Sequence, residues 1–269
     1  MFDRFLHKWL RVPYPLHVRH NQRPKKARGT VLFIHGIGNT GEAWSAVTEQ
    51  LPDDIRIITI DLLGFGGSQS PAWAVYDAKT QARSVLATLL KLRLTGPIIV
   101  VGHSLGALVA VEVAKRYPLL VKSLILCSPP FYQSDEVKTL LPNTDKLLRQ
   151  LYSSVRAHPD QFVRLSSFAM KYNLINKSFS VTLDNIDTYM AALESMIINQ
   201  TSLHDAQKLK VPIRIIKGTL DPFVVGKNLK RVARANDNIE LKTILAGHEI
   251  RGLFIPAVVK AIEETLTSK

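Results

Sequence analysis

The sequence predicts an α/β fold, a doubly wound and mostly parallel sheet that carries an inserted helical cap. Beyond residue 30, short runs rich in β-branched residues alternate with longer stretches of helical periodicity. Several of the short runs are apolar at consecutive positions, which is typical of strands covered on both faces. The alternation stops between about residues 129 and 210, where helical periodicity continues without a convincing strand.

The strand and helix patterns follow one another in an order that suits this fold. The six strand candidates are residues 30–34, 55–60, 97–101, 121–126, 213–216 and 239–245. The helix candidates outside the insertion lie near residues 41–50, 77–93, 105–116, 225–235 and 256–267. Because open sheets of this kind bind ligands beyond the carboxyl ends of their strands, we expect the chemistry in the loops that follow the strands.

The inserted segment, residues 129–210, is predicted to form a helical cap over one edge of the sheet. Three apolar stripes at helical spacing carry this prediction. They are Leu147, Leu148 and Leu151, then Phe162, Leu165 and Phe168, then Tyr189, Leu193, Met196 and Ile197. Such side chains either line an apolar substrate pocket or form the core of the cap itself. The body of the fold is then residues 1–128 together with 211–269.

Positive charge is concentrated at the N-terminus. The chain has 35 Lys and Arg against 22 Asp and Glu, a formal net charge of +13. Residues 1–30 form a basic N-terminal segment whose apolar residues at helical spacing are Phe2, Phe5, Leu6, Trp9 and Leu10. Two interpretations stay open: a short helix packed on the body, or weak peripheral contact with an anionic membrane surface. Nucleic acid is not expected as a partner, because the basic residues are not interleaved with an aromatic platform.

Composition narrows the expected environment and cofactors. No apolar stretch approaches the roughly 18 residues that span a bilayer, and the N-terminus lacks the apolar run of a signal peptide, so we expect a cytoplasmic protein. The single cysteine, Cys127, cannot form an internal disulfide. No His, Cys or Asp spacing suggests a metal site, and no cofactor is expected.

The most informative stretch is residues 97–110, where a buried-strand pattern leads into Gly102-His-Ser-Leu-Gly106 and then into a helix. A turn of the form G-x-S-x-G lifts a serine hydroxyl clear of the backbone, so Ser104 is the candidate nucleophile. Gly102 and Gly106 have no side chain, and we expect neighbouring backbone to pass close to the turn at these two positions. The helix N-terminus that begins here supplies free N–H groups beside a developing oxyanion.

Serine is a poor nucleophile without a base, so a histidine and an acid should follow it. Asp221 comes just after the strand candidate 213–216, and His248 comes just after the last strand candidate. The order Ser104, Asp221, His248 is the order of nucleophile, acid and base that accompanies this turn. Asp135, beyond the strand candidate 121–126, stays open as an alternative acid.

A glycine-containing loop after the first strand candidate supplies the other half of an oxyanion site. The expected backbone donors are the N–H of Ile37 in this loop and the N–H of Leu105 after the nucleophile. Gly36 keeps the backbone of the loop open, and His35 is expected to support the loop through hydrogen bonds.

Two further polar residues near these motifs are given supporting roles. His103 lies inside the turn, and its side chain is expected to point away from the nucleophile. Asp61, at the end of the strand candidate 55–60, is expected to organise the loop that follows it.

The sequence resembles the α/β-hydrolase superfamily, in particular its cap-bearing serine hydrolases, from about residue 12 to the C-terminus. The motifs that carry the resemblance are His35-Gly36, Asp61-Leu-Leu-Gly-Phe-Gly-Gly-Ser68, Gly102-His-Ser-Leu-Gly106, Gly218-Thr-Leu-Asp221 and Gly247-His248. The resemblance implies the fold and a serine nucleophile. It selects no substrate, because the superfamily includes esterases, lipases, thioesterases, peptidases and carbon–carbon bond hydrolases on the same triad.

We therefore expect a serine hydrolase that cleaves a carboxylic ester with an apolar portion through an acyl-enzyme, with a small-molecule ester as its partner. Thioester hydrolysis and carbon–carbon bond hydrolysis on the same triad stay open. So does a non-catalytic ligand- or partner-binding protein built on this fold.

Overall fold

A computed structural model of the chain describes residues 4–94, 96–132, 153–172, 175–198 and 200–267. The strands of its sheet are β1 (His17–Gln22), β2 (Gly29–Ile34), β3 (Ile55–Asp61), β4 (Ile98–His103), β5 (Val121–Cys127), β6 (Ile213–Gly218) and β7 (Ile239–Ile244). Their order across the sheet is β1-β3-β2-β4-β5-β6-β7. β1 is antiparallel to β3, and the other neighbouring pairs are parallel. The predicted doubly wound, mostly parallel sheet is confirmed.

Helices cover both faces of the sheet. The α-helices of the described residues are α1 (Ser45–Thr48), α2 (Ala78–Lys91), α3 (Leu105–Arg116), α4 (Pro159–Lys171), α5 (Ile186–Ala192), α6 (Ser202–Lys208), α7 (Gly226–Arg234) and α8 (Phe254–Thr267). A 3₁₀ turn, Gly41–Trp44, precedes α1, and π-helical turns cover Phe5–Trp9 and Leu193–Ile198. In the described part of the chain, no helix is both long enough and apolar enough to cross a membrane.

The central strand β2 explains why consecutive apolar residues predict a buried strand. Val31 and Phe33 pack on one face of the sheet with Phe254 of α8, whereas Leu32 and Ile34 pack on the other face. All five side chains are fully buried. Burying a side chain of this size contributes about 1.5–3 kcal/mol, so a polar residue at any of these positions would weaken the sheet.

The direction in which the chain winds changes at β2. β3 lies on one side of β2, and the chain then crosses to β4 on the other side. The carboxyl ends of β2 and β4 therefore flank a crevice where the strand order reverses, the usual place for a ligand in an open α/β sheet.

The edge strand β1 was not predicted. Val18 is the only apolar residue among its six, so the sequence shows no hydrophobic alternation there. The strand forms because its backbone pairs with β3, in a register that places His17 opposite Asp61. Exposed polar and charged side chains on such an edge discourage pairing with a second molecule.

The helices α4, α5 and α6 and the π-helical turn Leu193–Ile198 lie among the described residues between β5 and β6, and their apolar side chains differ in how they pack. The stripe formed by Leu147, Leu148 and Leu151 lies outside the described residues. On α4, Leu165 and Phe168 are 67% and 57% exposed, so this stripe does not form an internal core. The stripe of Tyr189, Leu193, Met196 and Ile197 is buried.

The insertion also contacts the loop that follows β2. The N–H of Ser180 donates to the carbonyl of Gly38 at 2.7 Å, and the hydroxyl of Ser178 lies 3.0 Å from the side-chain oxygen of Asn39. These bonds attach the segment of Ser178 and Ser180 to the loop after β2.

Candidate active site

The three residues predicted as nucleophile, acid and base lie together at the carboxyl edge of the sheet. Ser104 directly follows β4, Asp221 follows β6 and His248 follows β7. The Nε2 atom of His248 is 3.0 Å from the Oγ atom of Ser104. The Nδ1 atom of His248 is 2.8 Å from the Oδ2 atom of Asp221. The three side chains thus form one continuous hydrogen-bonded chain.

The backbone at Ser104 adopts a conformation that most residues avoid. Its φ is 52° and its ψ is −120°, a region of positive φ that is strained for a residue with a Cβ. Two hydrogen bonds hold the turn, from the N–H of Ser104 to the carbonyl of Cys127 and from the N–H of Ala107 to the carbonyl of Ser104, both at 2.9 Å. The strain keeps the hydroxyl at the tip of the strand-to-helix turn.

The two glycines of the turn permit close backbone approach. A Cβ atom built on Gly102 would lie 2.4 Å from the carbonyl oxygen of Gly106. A Cβ atom built on Gly106 would lie 2.4 Å from the carbonyl oxygen of Ile34. Both contacts are far inside van der Waals distance and involve backbone, so even alanine would displace the turn.

Asp221 is held as a carboxylate. Its side chain is fully buried, and its Oδ1 atom accepts a hydrogen bond from the N–H of Phe223 at 2.9 Å. Burial raises the pKa of Asp221, but the hydrogen bonds from His248 and Phe223 outweigh it, so the pKa lies below its ordinary value. A carboxylate opposite Nδ1 fixes the imidazole proton on that nitrogen and leaves the Nε2 lone pair facing Ser104.

His103 contacts the loop that carries His248, an arrangement that the sequence did not indicate. Its Nε2 atom is 2.8 Å from the backbone carbonyl oxygen of His248, and the two imidazole rings are 4.9 Å apart. Burial lowers the pKa of His103 to about 3, so the ring is neutral and donates from Nε2 to the carbonyl. His103 is therefore a positioning residue for the His248 loop, whose backbone it anchors to the nucleophile turn.

The side chain of His35 forms hydrogen bonds with the loops that follow β2 and β3. Its Nδ1 atom lies 2.7 Å from the carbonyl oxygen of Gly36, and its Nε2 atom accepts a hydrogen bond from the N–H of Leu62 at 2.9 Å. Burial lowers the pKa of His35 to about 4, so the ring is neutral with its proton on Nδ1. These two bonds join the loop after β2 to the loop after β3.

The carboxylate of Asp61 accepts hydrogen bonds from donors in three parts of the chain. Its carboxylate accepts hydrogen bonds from the N–H groups of Gly41 and Gly67, each at 2.8 Å, and from the guanidinium of Arg19 at 2.5 Å. Burial raises the pKa of Asp61, but Arg19 and the two N–H groups outweigh it and hold the pKa below its ordinary value. The carboxylate thereby fixes the loop after β2 to the loop after β3 and to strand β1.

The loop that follows β2 lies beside Ser104. Gly36 passes close to the nucleophile, since a Cβ atom built on it would be 3.3 Å from the Cβ atom of Ser104. Among the described residues, neither the N–H of Ile37 nor that of Leu105 donates a hydrogen bond to a protein acceptor. Leu105 is also the first residue of α3, where the helix dipole favours negative charge.

A cavity of about 400 Å³ lies against Ser104 and His248. Its wall is largely apolar, and the insertion supplies much of it through Phe162, Leu165, Phe179, Tyr189, Leu193 and Ile197. In the part of the chain that the structure describes, no group of three His, Cys, Asp or Glu side chains could hold a metal ion. Cys127 is buried, which raises the pKa of its thiol, and Asp135 lies outside the described residues.

The fold and this arrangement define a class of protein: an open parallel α/β sheet whose strand-to-helix turn presents a serine to a histidine and a buried carboxylate. The sequence pattern of the family described as "alpha/beta hydrolase fold" matches residues 29–250. The chain belongs to this family.

Curated relatives match over part of the chain. Lipase LipV of Mycobacterium tuberculosis is 40% identical over 114 residues, which are 42% of this chain and 41% of that protein. Probable lysophospholipase BODYGUARD 4 of Arabidopsis thaliana is 36% identical over 106 residues, which are 39% of this chain and 25% of that protein. The match thus covers well under two thirds of either relative.

Solved structures share the fold along nearly the whole chain. A thermophilic esterase from Thermogutta terrifontis superposes with a TM-score of 0.71 at 24% identity, over 90% of this chain and 92% of that one. The enol-lactonase from Burkholderia xenovorans superposes with a TM-score of 0.70 at 19% identity, over 94% of this chain and 96% of that one. At these identities the likeness concerns the fold.

Proposed function

We propose that this protein is a serine hydrolase that cleaves a carboxylic ester with an apolar portion through an acyl-enzyme. The observation that carries the proposal is the hydrogen-bonded chain from Ser104 through His248 to the buried Asp221, at one end of an apolar cavity. The similarity to a protein named a lipase and to one named a probable lysophospholipase supports an ester as the scissile group.

Acylation begins with proton transfer to His248. Its Nε2 atom, 3.0 Å from the Ser104 hydroxyl, takes the proton as Oγ attacks the ester carbonyl carbon. Asp221 stabilises the imidazolium that results, because its carboxylate accepts a hydrogen bond from Nδ1 in a buried site. His248 then delivers the proton to the leaving alkoxide, which departs as an alcohol.

The negative charge on the carbonyl oxygen needs donors that are already in place. The N–H groups of Ile37 and Leu105 fill this role, since neither is used by a protein acceptor among the described residues. In deacylation a water molecule gives its proton to His248 and attacks the acyl carbon, and the carboxylic acid leaves as Ser104 regains its proton.

The insertion acts as a cap that supplies the apolar part of the substrate site. A cavity of about 400 Å³ is within the range of small-molecule sites, and its aromatic and aliphatic wall suits an apolar acyl or alcohol group. The bond from Ser180 to Gly38 joins the cap to the loop that carries Ile37, so cap position and oxyanion geometry are linked.

Covalent labelling tests the proposal directly. A fluorophosphonate probe should react with wild-type protein at neutral pH, and mass spectrometry of the digest should locate the adduct on Ser104, because a histidine base lies at hydrogen-bond distance from this hydroxyl. Heat-unfolded protein provides the control and should not react. Folded protein that stays unlabelled while a known serine hydrolase reacts in the same tube would overturn the proposal.

We further propose weak peripheral contact of the basic N-terminal segment with an anionic membrane. The side chains of Phe5, Trp9 and Leu10 are 53%, 75% and 57% exposed, so these apolar groups are not packed on the body. Arg4 and Lys8 lie on the same short stretch and are exposed. Exposed aromatic side chains beside basic ones are typical of segments that adsorb to an anionic surface.

Removing the exposed aromatic rings should weaken vesicle binding without affecting the site. The double variant Phe5→Ser with Trp9→Ser should lower the affinity for vesicles containing phosphatidylserine by about tenfold or more, because two apolar groups no longer enter the interface. Co-sedimentation measures this, with pure phosphatidylcholine vesicles for comparison. The control is Leu119→Ser, which removes a leucine that is 94% exposed elsewhere. Equal binding by the double variant and wild type would contradict the membrane proposal and favour a structural role for the segment.

A further inference from the structure

One acidic side chain lies in the wall of the largely apolar cavity. Among the described residues that line the cavity, Glu249 is the only one with a carboxyl group. Five aromatic rings share that wall: Tyr132, Phe162, Phe179, Tyr189 and Phe223. A carboxylate among aromatic faces is an uncommon lining for a site that would take only hydrocarbon.

The carboxyl of Glu249 is only partly compensated by its own surroundings. It directly follows His248, and the backbone of Asn176 in the insertion lowers its pKa. Burial raises the pKa of Glu249, and the opposing effects of His248, Arg251 and the Asn176 backbone do not cancel that rise. A further positive charge that approaches Glu249 would therefore stabilise the ionised form of its carboxyl group.

We propose that Glu249 makes this cavity select esters that carry an ammonium group over neutral or anionic esters of the same shape. The inference rests on the proposed function, because it concerns the substrate of the same site. An ammonium ion offers the carboxylate a partner in a largely apolar cavity, and aromatic rings attract the same cation through their faces. A carboxylate or phosphate on the substrate is repelled by the like charge of Glu249, so the cavity disfavours anionic esters.

A purely structural role for Glu249 predicts something different. In that case its task is to accept hydrogen bonds from neighbouring backbone and keep the loop after β7 in place. Gln at this position keeps the side-chain length and an oxygen acceptor, and it replaces the charged carboxylate by a neutral amide. Glu249→Gln therefore separates the electrostatic role from the structural one.

The test compares two esters that differ in a single atom. Butyrylcholine and 3,3-dimethylbutyl butyrate have the same shape, but the first carries a quaternary nitrogen where the second has a carbon. Wild type should favour butyrylcholine in kcat/KM by roughly tenfold, the effect of one favourable charge interaction in a partly buried site. Glu249→Gln should bring the ratio close to one by losing activity on butyrylcholine alone. The control Glu49→Gln, which neutralises an exposed carboxylate elsewhere, should keep the wild-type ratio.

Each outcome bears on a distinct claim. A wild-type ratio near one, or a ratio that Glu249→Gln leaves unchanged, overturns the inference while leaving the hydrolase proposal intact. Equal loss of activity on both esters in Glu249→Gln assigns the residue a structural role and also overturns it. If both esters turn over slowly, the same ratio is obtained from the concentrations at which they protect Ser104 from the fluorophosphonate. If Ser104 does not react with the fluorophosphonate, the proposed function itself is wrong.

Discussion

Ser104→Ala should abolish hydrolysis of a short-chain aryl ester, with kcat falling by about 10⁴- to 10⁶-fold. The hydroxyl is the group that forms the acyl-enzyme, and His248 has no other nucleophile at hydrogen-bond distance among the described side chains. The residual rate should be that of water attack helped by the N–H groups of Ile37 and Leu105. The fluorophosphonate adduct should disappear together with the activity.

The loss in Ser104→Ala must be separated from a loss of folding. Alanine has a Cβ like serine, so the backbone strain at φ 52° is the same in both proteins, and their thermal unfolding should be similar. Ser167→Ala is the matched control, because it removes an exposed hydroxyl from α4. Activity of folded Ser104→Ala within tenfold of wild type would exclude Ser104 as the nucleophile.

The sheet could be predicted where local sequence carries the information. Parallel strands that are covered on both faces must be apolar at consecutive positions, so β2 and β4 are visible as short runs. Strand β1 could not be predicted, because its one apolar residue, Val18, gives no alternation and the strand exists through backbone pairing with β3. Pairing partners distant in sequence leave no trace in a local pattern.

The candidate site, like the sheet, can be predicted only in part from local sequence. The positions of Ser104, Asp221 and His248 follow from motifs at strand ends, which a parallel sheet brings to a single edge. The bond from His103 to the carbonyl of His248 joins residues 145 positions apart, and no spacing within either loop predicts it. The place of Glu249 in the cavity wall likewise depends on how the insertion folds over the sheet.

Asp221→Asn should lower kcat on the same ester by about 10⁴-fold while the protein stays folded. Asparagine has nearly the size of aspartate, and its side-chain oxygen can still accept the hydrogen bond from the N–H of Phe223. Its NH₂ group then faces Nδ1 of His248 as a donor, which forces the imidazole proton onto Nε2. In that tautomer His248 cannot take the proton of Ser104, and the imidazolium has no counter-charge.

Asp135→Asn provides the comparison that decides which acid is used, since Asp135 is the alternative acid from the sequence and lies outside the described residues. The hydrogen bond of 2.8 Å between Asp221 and Nδ1 leads us to expect a kcat within a few-fold of wild type for Asp135→Asn. The rate of fluorophosphonate labelling should follow kcat in both variants, because labelling needs the same base. If Asp135→Asn lost about 10⁴-fold and Asp221→Asn remained active, the acid would be Asp135. The bond from Asp221 would then only hold the loop after β7 in place.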